Sequence, residues 1–398
     1  MDENLDISIE FNSVLDNILE DELIINNDKS IDLSTDYPCL IFKRDDLVRV
    51  INLCNKMILS KSDISEYNSI SFFKSLYTLN FYVTNELSHF RYEAELIGDL
   101  TKCIEEPFSI SLIILQKIVR LMGNKVLIYN KEGKFYIRLL DGDLLVDARP
   151  VRKDIVLIPG DTKDKVAELS LSNFGKACYS ILPLISSETI NDFKKLYFTG
   201  NKMYFKSSFY YIDGDIKTPE MCLSFRDVEF ISRLFKYYKD NNIILFSVNT
   251  SLSRYRLIMD NIEYQFINSR ASEMSLVIDE MDKLIKEPEI SISYDKLYRV
   301  ISLATNLPGI NNTVSMKYTS DKLNLNIINN NGTSNFNFPI EKLVQGRLFG
   351  KEIILNSIIL KRLLSAFSNS QNINIALDDL GVTIKTDFIR AFLMTYDN

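Results

Sequence analysis

The sequence predicts an α+β protein of three tandem domains, each with two helices packed on antiparallel sheets. Three observations carry this. Strict apolar alternation, the period of a strand with one buried face, runs through Val314, Met316 and Tyr318 and resumes at Leu323, Leu325 and Ile327. Helix-period segments interrupt such strands in the order helix, strands, helix, strands. That order occurs three times: Leu47, Phe174 and Leu297 hold equivalent places in the first helix of each copy, 127 and 123 residues apart. Units of about 125 residues are whole domains and not solenoid turns. The expected organisation is an acidic leader at 1–37 and domains at 38–152, 153–285 and 286–398.

In the leader, Phe11, Val14, Leu15, Ile18 and Leu19 have helical spacing. The segment reads either as a short amphipathic helix or as a disordered acidic tail. The first domain begins near Cys39. A helix is expected over 44–58, with Leu47, Val50, Ile51 and Cys54 inward, then aromatic strands through Phe72, Phe73, Tyr77, Leu79, Phe81 and Val83. A second helix is expected over 110–122. The hairpin 126–129 to 135–139 turns at Lys131, Glu132 and Gly133, and a strand at 144–148 runs into Pro150.

The second domain repeats the scheme. Its first helix is expected over 172–185, with Phe174, Ala177, Cys178 and Ile181 inward, and strands follow at 195–199, 203–206 and 209–212. Its second helix is expected over 225–238, with strands at 243–248, 255–259 and 264–267 and a charged connector at 273–287. In the third domain, helices are expected over 294–306 and 358–367. A turn at Asn331-Gly332 joins two strands, and the last hairpin closes at 378–381.

The net charge is −7, but residues 1–37 hold eleven Asp or Glu and one Lys, so they carry −10 and the remaining body +3. An acidic total therefore does not exclude a nucleic-acid partner. Basic residues recur at matching places. Arg49, Lys176 and Arg299 each follow the reference apolar position by two, off the buried stripe; Lys56 and Lys296 lie on the same helices. The second helices carry Lys117 and Arg120, then Arg226, Arg233 and Lys236, then Lys361 and Arg362. On one helix such residues are an ordinary solvated face. Recurrence across three helix pairs suits phosphate contacts without sequence preference.

Signals for catalysis are missing. One histidine, His89, sits among aromatic strand residues and reads as packing or surface. Nothing supplies a His-based metal site, a Cys-x-x-Cys pair, a phosphate-cradling glycine loop or a nucleophile elbow. The Asp-Gly-Asp strings at 141–143 and 213–215 read as turns. The five cysteines read as reduced core thiols of a cytosol-like compartment. The most apolar run, 110–122, is too short and too charged to span a bilayer, and the acidic N-terminus is unlike a secretory signal. No enzyme, cofactor or metal is expected.

The threefold unit, its length and several local strings resemble the bacterial-type DNA sliding clamps, the beta subunits of DNA polymerase III. The strings are Lys195-Leu-Tyr-Phe-Thr-Gly-Asn-Lys-Met-Tyr-Phe-Lys206, Thr313-Val-Ser-Met-Lys-Tyr-Thr-Ser-Asp-Lys-Leu-Asn-Leu325 and the stretch 353–396. The resemblance covers residues 39–398. It implies a homodimeric head-to-tail ring whose helices line a hole around duplex DNA, and a cytoplasmic, nucleoid-associated place in a bacterial or phage-infected cell. It implies polymerase and clamp-loader partners that dock by a peptide motif. Their pocket would use Tyr210, Tyr211, Ile212, Leu393, Met394 and Tyr396. The family's Asp-Gly-His-Arg-Leu string and Met-Pro-Met-Arg-Leu ending are absent, and the acidic leader is extra. The expected function is a non-enzymatic processivity factor. The alternative is a clamp-fold adaptor, for transcription or regulation, that does not encircle replicating DNA.

Overall fold

The computed structural model describes residues 29–55, 57, 64–85, 87–186, 195–205, 208–212, 217–248, 253–268, 280, 283–284, 286–287, 290–306, 312–319, 322–329, 332–343, 352–367, 370–387 and 389–395. Apart from short helical turns, the helices among them are α1 (Arg44–Cys54), α2 (Leu112–Ile118), α3 (Lys176–Ser186), α4 (Phe225–Tyr238), α5 (Tyr294–Asn306) and α6 (Ser357–Ser365). Two fall in each expected domain. The bounds of α4 and α5 are those the apolar spacing predicts. The α4 start is fixed by a reciprocal cap. The Ser224 N–H and hydroxyl donate to Asp227 Oδ2 at 2.9 and 2.6 Å, and the Asp227 N–H donates back to Ser224 Oγ at 3.4 Å.

Two first-domain expectations need correction. The helix expected over 110–122 is α2 with a 3-10 turn at Val119–Leu121, because Phe108–Ser111 is a strand paired with Ser69–Ser75. Phe108 faces Phe72 across that pair, and the rings stack at 5.0 Å, which fixes this stretch as strand. Tyr77 is not in a strand but in an exposed turn with Leu76. His89, expected among strand residues, opens the strand His89–Glu95, and Thr162–Ser170 is a further strand that the sequence reading does not include. The hairpin turn at Glu132 and Gly133 is as expected: both have positive φ, 53° and 80°, the geometry of a two-residue loop with the strands' own twist.

The described strands form four sheets. Two have four strands: Cys39–Lys43, Lys125–Lys131, Lys134–Leu139 and Gly142–Val146 in one, and Gly332–Pro339, Lys322–Asn329, Thr313–Tyr318 and Glu352–Asn356 in the other, each in spatial order. Two have nine. The first joins strands of the first expected domain to Thr162–Ser170, Asn242–Val248, Arg254–Met259 and Ile262–Ile267 of the second. The seam pairs Ile262 with Tyr92 and Tyr264 with Phe90, antiparallel. The other joins Lys195–Gly200, Lys202–Phe205, Ser208–Ile212 and Thr218–Ser224 to strands of the third domain, through Ser208–Ile212 against Ile389–Met394.

These seams divide the middle domain between two compact units. Among the described residues, one unit holds everything up to Glu168 together with Lys236–Asn268. The other holds Leu169–Phe235 and everything from 280 onward. In the first, Phe42, Phe72, Phe81, Phe90 and Tyr92 form the centre of the core, with Phe42 edge-on to Phe81 at 5.3 Å. One ion pair crosses its seam, Arg91 with Glu263 at 3.3 Å; Arg91 also pairs with Glu93 on its own strand at 2.5 Å, and Glu263 with Arg256 on the neighbouring strand at 3.0 Å. In the second, α6 packs against both α3 and α5.

The end of the leader belongs to the fold. Ile31, Leu33 and Tyr37 pack on Cys39, Leu127, Tyr129 and Tyr136. The helically spaced residues 11–19 lie outside the described residues.

Candidate nucleic-acid interface and partner site

The candidate interface is built from the outward residues of the helices. On α1, Leu47, Val50, Ile51 and Cys54 are buried as the spacing requires. Arg49 lies off that stripe but does not extend freely. Its Nη1 donates to Tyr92 Oη at 2.8 Å, and that hydroxyl donates to Asp46 Oδ1 at 2.8 Å. The guanidinium lies 6.0 and 5.7 Å from the Tyr92 and Tyr238 rings. Burial, reinforced by the Asp46 carboxylate, pushes the Tyr92 phenol up to about 12, so it stays a donor to Asp46. Arg49 therefore belongs in large part to a structural cluster. Lys56 lies outside the described residues.

On α2, Leu112, Leu115 and Ile118 are buried while Lys117 is exposed, and Arg120 is exposed in the following 3-10 turn. Packing of α1 on α2, with Gln116 Nε2 donating to Asn55 Oδ1 at 2.8 Å, puts Arg49, Lys117 and Arg120 on one helix pair. Lys176 is half-buried at the first residue of α3, after a π-turn at Leu171–Gly175 that replaces the helix start expected at Ser172. Gly175 lies so close to α4 that a Cβ there would stand 2.7 Å from Phe235 Cβ.

Arg233 corrects the expectation. It is 1% exposed, and its Nη2 lies 3.1 Å from Glu229 Oε1, itself 3% exposed. Every residue of α4 from Asp227 to Leu234 is buried, so this stretch has no outward face. Arg226 is half-buried and Lys236 exposed at the two ends of the helix.

Lys296 and Arg299 are exposed, one turn apart on α5, and Lys361 and Arg362 are half-buried on α6. The Asn356 side chain caps α6, accepting from the Ile358 and Ile359 N–H groups at 3.0 and 3.1 Å. Because α6 packs on α3 and α5, these four residues and Lys176 share one three-helix packing group.

The two segments of the expected partner pocket are neighbouring antiparallel strands. Tyr210 pairs with Ala391, Tyr211 with Arg390 and Ile212 with Ile389. In that register Ile212 sits opposite Ile389, four residues before Leu393 and about 14 Å along the strand. Leu393 is 2% exposed and packs into the core, as Ala391 and Phe392 before it do, whereas Met394 at the end of the strand is 40% exposed. The side chains of 210–212, and Tyr396, lie outside the described residues.

The remaining polar candidates are structural. His89 is 8% exposed; burial, with Arg254 nearby, lowers its pKa to about 4, and Nδ1 meets Thr84 Oγ1 at 2.8 Å. Asp143 pairs with Arg138 at 2.5 Å beside the turn at Asp141, while 213–215 lies outside the described residues. The five cysteines are free thiols, and the backbones of Cys39 and Cys103 pair as a single parallel β-bridge. Among the described residues, no helix is long and apolar enough to cross a membrane.

Two features escaped the sequence reading. Ile113 on α2 and Leu121 in the 3-10 turn after it, 36% and 51% exposed, are close in sequence to Lys117 and Arg120; apolar residues next to the basic ones in sequence were the available signal. The strands Gly142–Val146 and Gly332–Pro339 end their four-stranded sheets, with one pairing partner each among the described residues.

No protein-family model and no curated protein sequence matches the chain. Solved structures do. The putative DNA polymerase III beta subunit of Eubacterium rectale matches with a TM-score of 0.74 at 14% identity, over 90% of this chain and 100% of that one. The beta subunit of Thermotoga maritima matches at 0.73 and 12%, over 90% and 99%. That of Pseudomonas aeruginosa matches at 0.71 and 11%, over 90% and 100%. Across this wide gap in sequence, the chain has the α+β fold of three repeated domains found in the DNA polymerase III beta sliding clamps.

Proposed function

We propose that this chain is a non-enzymatic sliding clamp: a processivity factor that closes head to tail with a second copy around duplex DNA and tethers a polymerase and a clamp loader. The domains are those at 38–152, 153–285 and 286–398, and the setting is cytoplasmic. The observation that carries this reading is the pattern of sheet edges. Within the chain, each step from one domain to the next is bridged by an antiparallel strand pair. Among the described residues, the two four-stranded sheets have no such bridge, and Gly142–Val146 in the first domain and Gly332–Pro339 in the third each form one of their two ends, opposite Cys39–Lys43 and Glu352–Asn356. An open edge is a template for another chain. Pairing these two edges between copies repeats the internal seam and closes the ring.

The basic helix residues supply the second support. Lys117, Arg120, Lys296 and Arg299 are exposed on three separate elements. Such cations hold a polyanion without reading its sequence, so the duplex slides while the ring prevents escape. Met394, beside the strand pair 208–212 and 389–394, belongs to the partner-peptide site.

The adaptor reading is favoured by one observation: Arg49 and Arg233 are engaged within the protein. Native mass measurement and DNA retention separate the two. The clamp is a dimer held on nicked circular DNA and lost on linearisation. A stable monomer, or equal retention on both DNAs, selects the adaptor.

A further inference from the structure

Residues 29–37 anchor a polyanion beside one of the basic helices. Tyr37 stacks on Tyr129 at 5.8 Å and 15°, and Tyr129 on Tyr136 at 5.2 Å and 12°. Lys131 Nζ lies 5.3 Å from the Tyr37 ring, and Arg138 Nη1 donates to the Asp32 carbonyl at 2.9 Å. The strap ends at Lys29, whose carbonyl accepts from the Asn124 N–H at 2.9 Å. Gly123 permits this approach: a Cβ there would meet Ile31 Cγ2 at 2.8 Å and the Lys29 carbonyl oxygen at 2.9 Å.

This anchor fixes where residues 1–28 begin. Asn124 follows Arg120 by four residues and Lys117 by seven, and Lys125 comes next. Seven residues span at most about 25 Å even when extended, whereas 28 can span up to about 100 Å. Residues 1–28 hold nine Asp or Glu and no Lys or Arg.

The two surfaces match in chemistry. Ile113 and Lys117 lie one turn apart and exposed on α2, and Arg120 and Leu121 are exposed in the 3-10 turn that ends it, so basic and apolar side chains are exposed together along this short segment. In the leader, Phe11, Val14, Leu15, Ile18 and Leu19 have a helical period among acids. Duplex phosphate would engage Lys117 and Arg120 and leave Leu121 uncovered. An acidic, apolar segment engages all four.

We propose that the acidic leader, residues 1–28, docks on this segment of its own chain, α2 and the turn that ends it, and competes there with duplex phosphate. The competition rests on the reading of Lys117 and Arg120 as DNA-facing; the docking does not. Tethering gives the leader an effective concentration of the order of millimolar without any gain in intrinsic affinity. Cations already neutralised by the leader release fewer counterions when DNA arrives. The leader therefore lowers apparent DNA affinity at low salt and flattens its salt dependence.

Two measurements on the full-length chain test this. The first is zero-length carbodiimide coupling at low salt, read by mass spectrometry. The expected product joins an Asp or Glu of residues 1–28 to Lys117 or Lys125 within one chain. Absence of that product overturns the proposal. So does coupling only between chains, read from a mixture of isotope-labelled and unlabelled protein. The second compares the natural chain with a variant whose nine leader acids are changed to Asn and Gln, using a short fluorescent duplex of arbitrary sequence. The variant is expected to bind about tenfold more tightly at low salt, with a steeper salt slope. Further change of Lys117→Glu and Arg120→Glu abolishes that gain. Equal affinity and slope for the two chains overturn the competition and leave the DNA reading intact. If neither chain binds the duplex, the DNA reading and the competition fall together, and the coupling result alone decides where the leader docks.

Discussion

Arg233 Nη2 and Glu229 Oε1 form an ion pair of 3.1 Å in which both side chains are sealed from water, 1% and 3% exposed. Sequence spacing alone would put Arg233 toward DNA. Its burial makes it a stability residue. Arg233→Ala removes one buried partner of the Glu229 carboxylate, which costs about 3–5 kcal/mol. The denaturant midpoint of the purified variant reads this. Replacing both, Arg233→Met with Glu229→Leu, is expected to recover part of the loss, since it removes both buried charges. A loss of DNA retention in Arg233→Ala with an unchanged midpoint would contradict the assignment.

The exposed cations behave oppositely. Lys117→Glu, Arg120→Glu and Arg299→Glu remove charge from positions with open side chains, so the fold is little affected. Together they are expected to weaken DNA binding and to reduce the slope of log K against log salt by about 2–3, near 0.9 per lost phosphate contact. Arg49→Ala differs in kind. It removes the hydrogen bond to Tyr92 and the contacts with the Tyr92 and Tyr238 rings. It lowers stability by about 1–2 kcal/mol with a smaller effect on the salt slope than the triple change. Titrations across salt concentration, beside thermal melts, distinguish the two classes.

What the sequence made legible was local. Helices α4 and α5 have the expected bounds because apolar period and end chemistry agree there, as in the cap between Ser224 and Asp227. The three domains were legible because the period repeats. Residues 110 and 111, the end of the strand Phe108–Ser111, read as helix because they run without a break into the apolar start of α2. Only the strand's pairing with Ser69–Ser75 decides, and that partner lies far away in sequence. The seam between Ile262–Ile267 and His89–Glu95 is hidden for the same reason. Arg233 was misread because periodicity ranks two faces of a helix and does not report when both are covered. Sequence order carries no register: only the antiparallel pairing shows that the strand of Tyr210 to Ile212 runs beside that of Leu393, with Ile212 against Ile389.

His89 gives a pH signature. Its folded pKa is lowered to about 4, chiefly by burial, against 6.5 when unfolded. The unfolded chain therefore binds a proton before the folded one as pH falls. The contribution of the neutral imidazole is complete above pH 6.5 and is lost progressively down to about pH 4, by about 3 kcal/mol in all. His89 is the sole histidine of the chain. His89→Gln is expected to flatten the stability profile across that window, and urea midpoints measured at several pH values check it. Glu66 acts lower. Its hydrogen-bonded pairing with Arg152 holds its carboxyl down to about 2, so its contribution disappears only as pH falls below 4.5.

The edge strand Gly142–Val146 carries the decisive test of the ring. Leu145 on this strand is 55% exposed in the single chain, so Leu145→Asp costs the monomer little. If the edge pairs with Gly332–Pro339 of a second copy, the new carboxylate must be desolvated at the interface. About 2 kcal/mol of lost association is roughly thirtyfold in Kd. The expected result is a dimer for the natural chain and a shift toward monomer for Leu145→Asp at the same concentration, with unchanged melting of the monomer. Retention on nicked circular DNA falls in parallel, because a ring that opens more often releases its duplex. If the natural chain is monomeric, or if Leu145→Asp leaves the dimer and its retention untouched, these edges do not meet and the closed ring cannot be built from them.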